Sequence, residues 1–221
     1  LLDVLAYNTH YLGFNANMLA NEMFLDSASL RSSVVSHAKT LGYEVTSSRA
    51  PIATVNVSLS TSADTKTMPA GTSFTTSIDG TDYSFVTIAD VTSSNTGSAV
   101  PFDSVKIYEG TYITTNYTVD SNEVDQRFTL SDANADTSTL TVKVQTSSSD
   151  TTTTTYTKAT DITQLSADST VYYLQETDSG LFEVYFGDGT VSKSLSDGNI
   201  VILQYVVTNK SEANGASSFT S

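Results

Sequence analysis

The 221-residue chain contains no cysteine and no tryptophan, and only three prolines and two histidines. Without cysteine there is no disulfide framework, no thiolate metal site and no thiol nucleophile. Cations are also scarce: ten lysines and arginines stand against 24 acidic residues, a net charge of −14. A grip on phosphates needs clustered Lys and Arg, so nucleic acid is excluded as a partner and an anionic membrane surface is disfavoured. The acidity is read as a solubility device. No apolar run approaches the roughly 20 residues that span a bilayer, and no membrane partner is expected. The opening Leu1-Leu2-Asp3-Val4-Leu5-Ala6 lacks both the basic start of a secretory signal and an initiator methionine, so further residues are expected upstream.

What the chain has in quantity is serine, threonine, 12 tyrosines and 9 phenylalanines. That mixture favours strands and turns over long helices. The first 42 residues are the exception. Val4, Tyr7, Tyr11, Phe14, Met18 and Leu25 follow a three-four spacing, with Leu5, Leu12 and Leu19 as a second column. Together they form an apolar stripe wider than a two-stranded coiled-coil seam. These nine residues are the candidate interface, because so broad a stripe exceeds what one short partner helix in the same chain can cover. Gly13 interrupts the pattern, and a break is expected at Leu25-Asp26-Ser27, with Asp26 or Ser27 capping a second helix. Leu30, Val34, Ala38 and Leu41 carry that helix to a stop at Gly42. The break and the polar segment Glu44 to Ala50 read as joints.

From Pro51 the period changes to two. Val55-Val57-Leu59, Tyr83 to Ile88, Val105 to Tyr108, Phe128 to Leu130, Leu140 to Val144, Val171 to Leu174, Phe182 to Phe186 and Ile200 to Val207 read as strands. The last is almost unbroken apolar, as in a central strand covered on both faces. Met68-Pro69-Ala70-Gly71-Thr72 and Phe186-Gly187-Asp188-Gly189 are turns, with Gly71, Gly187 and Gly189 chosen for backbone geometry. Ser147 to Thr155 reads as an exposed low-complexity loop. The expected fold class is α+β: a helical arm over 1–43, a mainly antiparallel β-rich domain over 44–208, and a polar linker over 209–221 toward a further C-terminal part.

No constellation points to chemistry. His10 and His37 lie in the helical segment without triad or metal-ligand partners. Asp132, Asn134 and Asp136 match the opening of a calcium loop, but Thr137 replaces its glycine and Lys143 its closing glutamate. Phe186-Gly187-Asp188-Gly189 lacks the Gly-Lys-Ser/Thr of a phosphate loop. No catalytic residue, cofactor or metal is assigned.

Several segments, taken in order, resemble the baseplate wedge subunit of contractile-tailed bacteriophages, of the baseplate J-like family. They are Leu1 to Thr9, Glu22-Met23-Phe24-Leu25, Leu30 to Val35, Leu41-Gly42-Tyr43, Met68 to Phe74, Tyr185 to Gly189, Gly198-Asn199 with the following strand, and Glu212 to Ala216. The resemblance implies a structural, non-enzymatic part of the virion, in the hub-proximal ring of the tail baseplate and assembled in the host cytoplasm. It implies that N-terminal helices from two copies bundle with a helix of a larger wedge protein. It also implies that the β-rich part braces the wedge, that a region beyond Ser221 joins neighbouring wedges, and that the parts rearrange on contraction. The alternative is a receptor-binding tail adhesin module, which Ser/Thr-rich β-structure also suits but which needs no helical arm.

Overall fold

The structure is a computed structural model that describes residues 2–221, apart from the side chain of Ile162. Leu1, at the head of the expected arm, lies outside the described residues. Two helices come first, α1 over Leu2–Glu22 and α2 over Arg31–Thr40. Thirteen strands follow: β1 Ile52–Ser60, β2 Thr65–Met68, β3 Ser73–Ile78, β4 Thr81–Val86, β5 Val91–Ser94, β6 Ala99–Glu109, β7 Thr111–Thr118, β8 Phe128–Thr129, β9 Ala135–Gln145, β10 Thr153–Lys158, β11 Val171–Glu176, β12 Phe182–Tyr185 and β13 Ile200–Val207. The fold is α+β.

The chain divides into two compact units. One comprises Leu1–Thr46 with Gln175–Leu181, and the other Ser47–Leu174 with Phe182–Ser221.

In the larger unit, a four-stranded sheet has the order β1-β6-β4-β3 and a seven-stranded sheet the order β7-β13-β9-β10-β11-β12-β8; β2 and β5 form a separate pair. β10 and β11 pair in parallel, with Thr157 facing Val171, whereas β1 with β6, β3 with β4, β4 with β6, β7 and β9 with β13, β9 with β10, β8 with β12 and β2 with β5 pair antiparallel. Each sheet has its own core. Val100, Phe102, Ile107, Phe74 and Phe85 fill the first, and Phe128, Leu130, Val142, Val184, Val201, Leu203 and Tyr205 the second. A third cluster of Ala50, Val86 and Val206, with Tyr108 and Tyr112 beside it, joins them where β6 passes into β7.

β13 matches its expected bounds and lies between β7 and β9. Its cover is unequal: Val201, Leu203 and Tyr205 are fully buried, while Ile200, Ile202 and Gln204 are half-buried. The expected loop from Ser147 to Thr155 is shorter than its composition suggests. Thr153, Thr154 and Thr155 pair with Gln145, Val144 and Lys143 as the start of β10, because β-branched threonine suits a pleated edge even in a low-complexity run.

The joint expected over Glu44 to Ala50 is pinned along its second half. The Ala50 N–H donates to Asp136 at 2.9 Å, the Thr137 N–H donates to the Ser47 hydroxyl at 2.9 Å, and Arg49 stands 3.8 Å from Asp136.

The segment read as a linker, 209–221, packs on the four-stranded sheet. Ala213 is buried in its core, Phe219 meets Phe85, and Thr220 makes a two-way backbone bridge with Thr75 at 2.7 and 2.9 Å.

Candidate interface and its supports

A helix of 21 residues forms over Leu2–Glu22 with no buried residue. Val4, Leu5, Tyr7, Tyr11, Leu12, Phe14, Met18 and Leu19 are all exposed, from 43% at Met18 to 70% at Leu19. At 3.6 residues per turn, Val4, Tyr7, Tyr11, Phe14 and Met18 share one flank, and Leu5, Leu12 and Leu19 another. Asn8 and Asn15 run between them as a polar strip. The Tyr7 and Tyr11 rings stack with centroids 6.1 Å apart. Leu25, placed with this group by its spacing, falls beyond the helix end and is exposed in the connection to α2. Gly13 does not break the helix.

The connection is built differently from its expected form. Neither Asp26 nor Ser27 caps α2. Leu30 occupies the cap position with no side-chain bond, and the Ser27 hydroxyl turns back to donate to the Asn21 carbonyl at 2.7 Å. The polar contact at this end comes instead from Glu22, which binds the residues just before the helix. Its carboxylate accepts from the Ser29 N–H at 2.9 Å, the Ser29 hydroxyl at 2.7 Å and the Leu30 N–H at 3.3 Å. These bonds, with one from the Ser33 hydroxyl as the largest contributor, hold the Glu22 carboxyl down at about 2. In return, His37 from α2 places Nε2 2.9 Å from the Glu22 carbonyl, which can only accept, so Nε2 carries the proton.

The second helix is clamped in turn. Arg31 donates through Nε and Nη2 to the two carboxylate oxygens of the buried Glu176, at 2.9 and 3.0 Å, and the Lys39 ammonium donates to the Glu176 carbonyl. Val35 is the buried residue of α2. Leu30 and Leu41, expected on its apolar face, are exposed. At its C-terminus Gly42 takes φ of +78°, and the Tyr43 N–H reaches back to the Ala38 carbonyl.

Sequence reasoning missed this polar frame, although one signal was present. An acidic residue in the last turn of a helix opposes the helix dipole, so Glu22 needed another role to sit there.

The three turn glycines differ in kind. Gly71 and Gly189 have φ of +82° and +88°. Gly187 is not left-handed; a Cβ there would overlap the hydroxyl of the fully buried Ser192 and stand 2.8 Å from its carbonyl oxygen. The Asp132 segment is a turn closed by the Ala135 N–H on the Asp132 carbonyl, and Asp136 spends its carboxylate on Ala50 and Ser138. Among the described residues, no three His, Asp or Glu side chains gather as metal ligands.

Two family descriptions match the chain: "Baseplate wedge protein gp6-like, helical domain" over residues 1–43, and "Bacteriophage baseplate wedge protein gp6, third domain" over residues 113–215. The first covers the helices and the second runs from β7 through β13. The baseplate wedge protein gp6 of Enterobacteria phage T4 is 29% identical over 240 aligned residues, which take in all of this chain and 35% of that protein. The chain thus spans about a third of the length of its curated relative. Matched over its helices and its larger sheet, and along its whole length to part of one wedge protein, the chain is similar to the gp6-like baseplate wedge proteins.

Proposed function

We propose that this chain is a structural part of a contractile-tail baseplate wedge, acting by association rather than by chemistry. The observation that carries the reading is α1, a long helix with exposed apolar side chains on two flanks and nothing buried. Its sequence cannot sustain it in isolation. Gly13, Asn8, Asn15, Asn17 and Asn21 are poor helix formers, and helices in water draw most of their stability from packing. The occupants proposed for its flanks are a second copy of this chain and a helix of a larger wedge protein, in a bundle through Val4, Leu5, Tyr7, Tyr11, Leu12, Phe14, Met18 and Leu19, with Leu25 beyond the helix end. Each such side chain contributes about 1.5–3 kcal/mol when moved fully from water into an interface. The eight helix side chains together are therefore comparable to or larger than the roughly 4–15 kcal/mol lost on association.

The β-rich unit, with two cores joined through Ala50, Val86 and Val206, serves as the brace. Rearrangement on contraction is proposed to occur between packed bodies, which resist deformation, rather than within them. The relative's name, baseplate wedge protein, supports the same assignment.

The test is native mass spectrometry after co-expression with neighbouring tail proteins. Two copies of the chain with one larger partner are expected, and Tyr11→Ser with Phe14→Ser should abolish the complex while leaving the β-rich unit folded. A chain that stays monomeric and well folded at high micromolar concentration, with no tail protein bound, overturns the reading. Binding to a glycan array would favour the adhesin instead.

A further inference from the structure

The elbow between α1 and α2, residues 23–30, holds together without apolar packing: Met23, Phe24, Leu25 and Leu30 are all exposed. α1 buries no residue. Its direction with respect to α2 therefore rests on polar contacts, and those contacts converge on one residue. The carboxylate of Glu22 accepts from the Ser29 and Leu30 amides, the last two residues of the elbow before α2, while the carbonyl of Glu22, at the foot of α1, is occupied by His37 from the body of α2.

We propose that Glu22 and His37 form a reciprocal latch that fixes the angle at which α1 is presented. The two bonds are not redundant. The carboxylate holds the elbow chain against α2, whereas the imidazole holds the helix end itself, so α1 can neither twist about its last peptide nor lift away while both are made. Either bond alone leaves one of these motions open.

The other charged groups nearby do different work. Arg31 and Lys39 are committed to Glu176, and Asp178 borders the shallow cavity shared by Glu22, Ser33, Ser36 and His37. The value of a fixed presentation angle rests on the reading of α1 as an interface helix; the latch itself does not.

The absence of cysteine makes the test direct. Asn15→Cys and Thr40→Cys place one spin label on each helix, and double electron–electron resonance on the full chain reads the distance between them. Dilution with unlabelled chain confines the signal to single molecules even if α1 associates. One narrow distance peak is expected, with loss of that peak in both Glu22→Ala and His37→Ala at unchanged far-UV helix signal. The peak should persist in Arg31→Gln, which frees α2 from Glu176 but leaves the elbow intact. A narrow peak that survives in either latch variant overturns the proposal. A broad distribution in the unsubstituted latch, or loss of the peak in Arg31→Gln, does so as well. Failure of the wedge reading would appear in the co-expression experiment and leave these distances unchanged.

Discussion

Phe219 stands edge-on to Phe85, with ring centroids 5.0 Å apart and planes at 74°. Phe85 is fully buried at the centre of the four-stranded sheet, so the C-terminal segment contributes to the core of β3, β4 and β6. Phe219→Ala removes a half-buried ring and an aromatic pair. It should cost about 1–3 kcal/mol, read as a lower urea midpoint with an unchanged slope. An unchanged midpoint would show that the segment adds nothing to that core.

Glu109 gives a sharper case. It is fully buried and accepts from the Thr208 hydroxyl at 2.7 Å, the Asn209 N–H at 3.0 Å and the Asn209 amide at 2.7 Å. Glu109→Ala strands these donors, at about 1–3 kcal/mol for each one left buried. Glu109→Gln should recover part of the loss, since one oxygen remains to accept. Equal melting temperatures for the alanine variant and the parent chain would contradict this account.

Glu22 dictates the acid response of the elbow. Its carboxyl is depressed from 4.5 to about 2, by the Ser33 hydroxyl first and then by the Ser29 amide and hydroxyl. A group depressed on folding contributes its full stabilisation above its unfolded value and loses it as pH falls through its folded one. The elbow should therefore be intact above about pH 4.5 and released on approaching pH 2. The Ser29 and Leu30 amide resonances should titrate with a midpoint near the lower value and stay flat in Glu22→Gln. A midpoint near the ordinary carboxylate value would mean that the carboxylate is free.

Gly187 and Gly189 should respond differently to substitution. Gly189→Ala meets an unfavourable φ and a close 3.3 Å approach to the Ser194 hydroxyl, a side-chain end rather than backbone, and should cost about 1–2 kcal/mol. Gly187→Ala drives a methyl into Ser192 and its backbone, so the larger loss of thermal stability belongs there. Adding Ser192→Gly to Gly187→Ala should recover part of it, by removing the hydroxyl but not the carbonyl. A Gly187→Ala protein as stable as the parent would refute the close approach.

How far these features could be read in the sequence depends on what holds each one. β13 was legible to its end residues, because a continuous apolar run carries its own signal. β7 and the start of β10 were not: Thr111-Tyr112-Ile113-Thr114-Thr115-Asn116-Tyr117-Thr118 and Thr153 onward are polar enough to pass as loop, and only pairing with β13 and β9 makes them strands. The two apolar flanks of α1 followed from spacing, but spacing does not say what covers a face. The supports at its foot did not, because Glu22 reaches seven and eight residues ahead and Arg31 reaches Glu176 across 145 positions. Capping rules that look three residues along the chain cannot find such partners.

The place of β13 between β7 and β9 bears on the order of events at the ribosome. Tyr205 faces Ile113 on one neighbour, and Gln204 faces Thr141 on the other, so the strand that joins the two is made last of the three. Until it leaves the exit tunnel, both neighbours present bare backbone edges to the cytoplasm, open to pairing with any other nascent chain. Contacts this distant in sequence also slow closure. A messenger cut before the codons of Ile200 to Val207 should yield not a smaller folded body but an insoluble one, retained by chaperones.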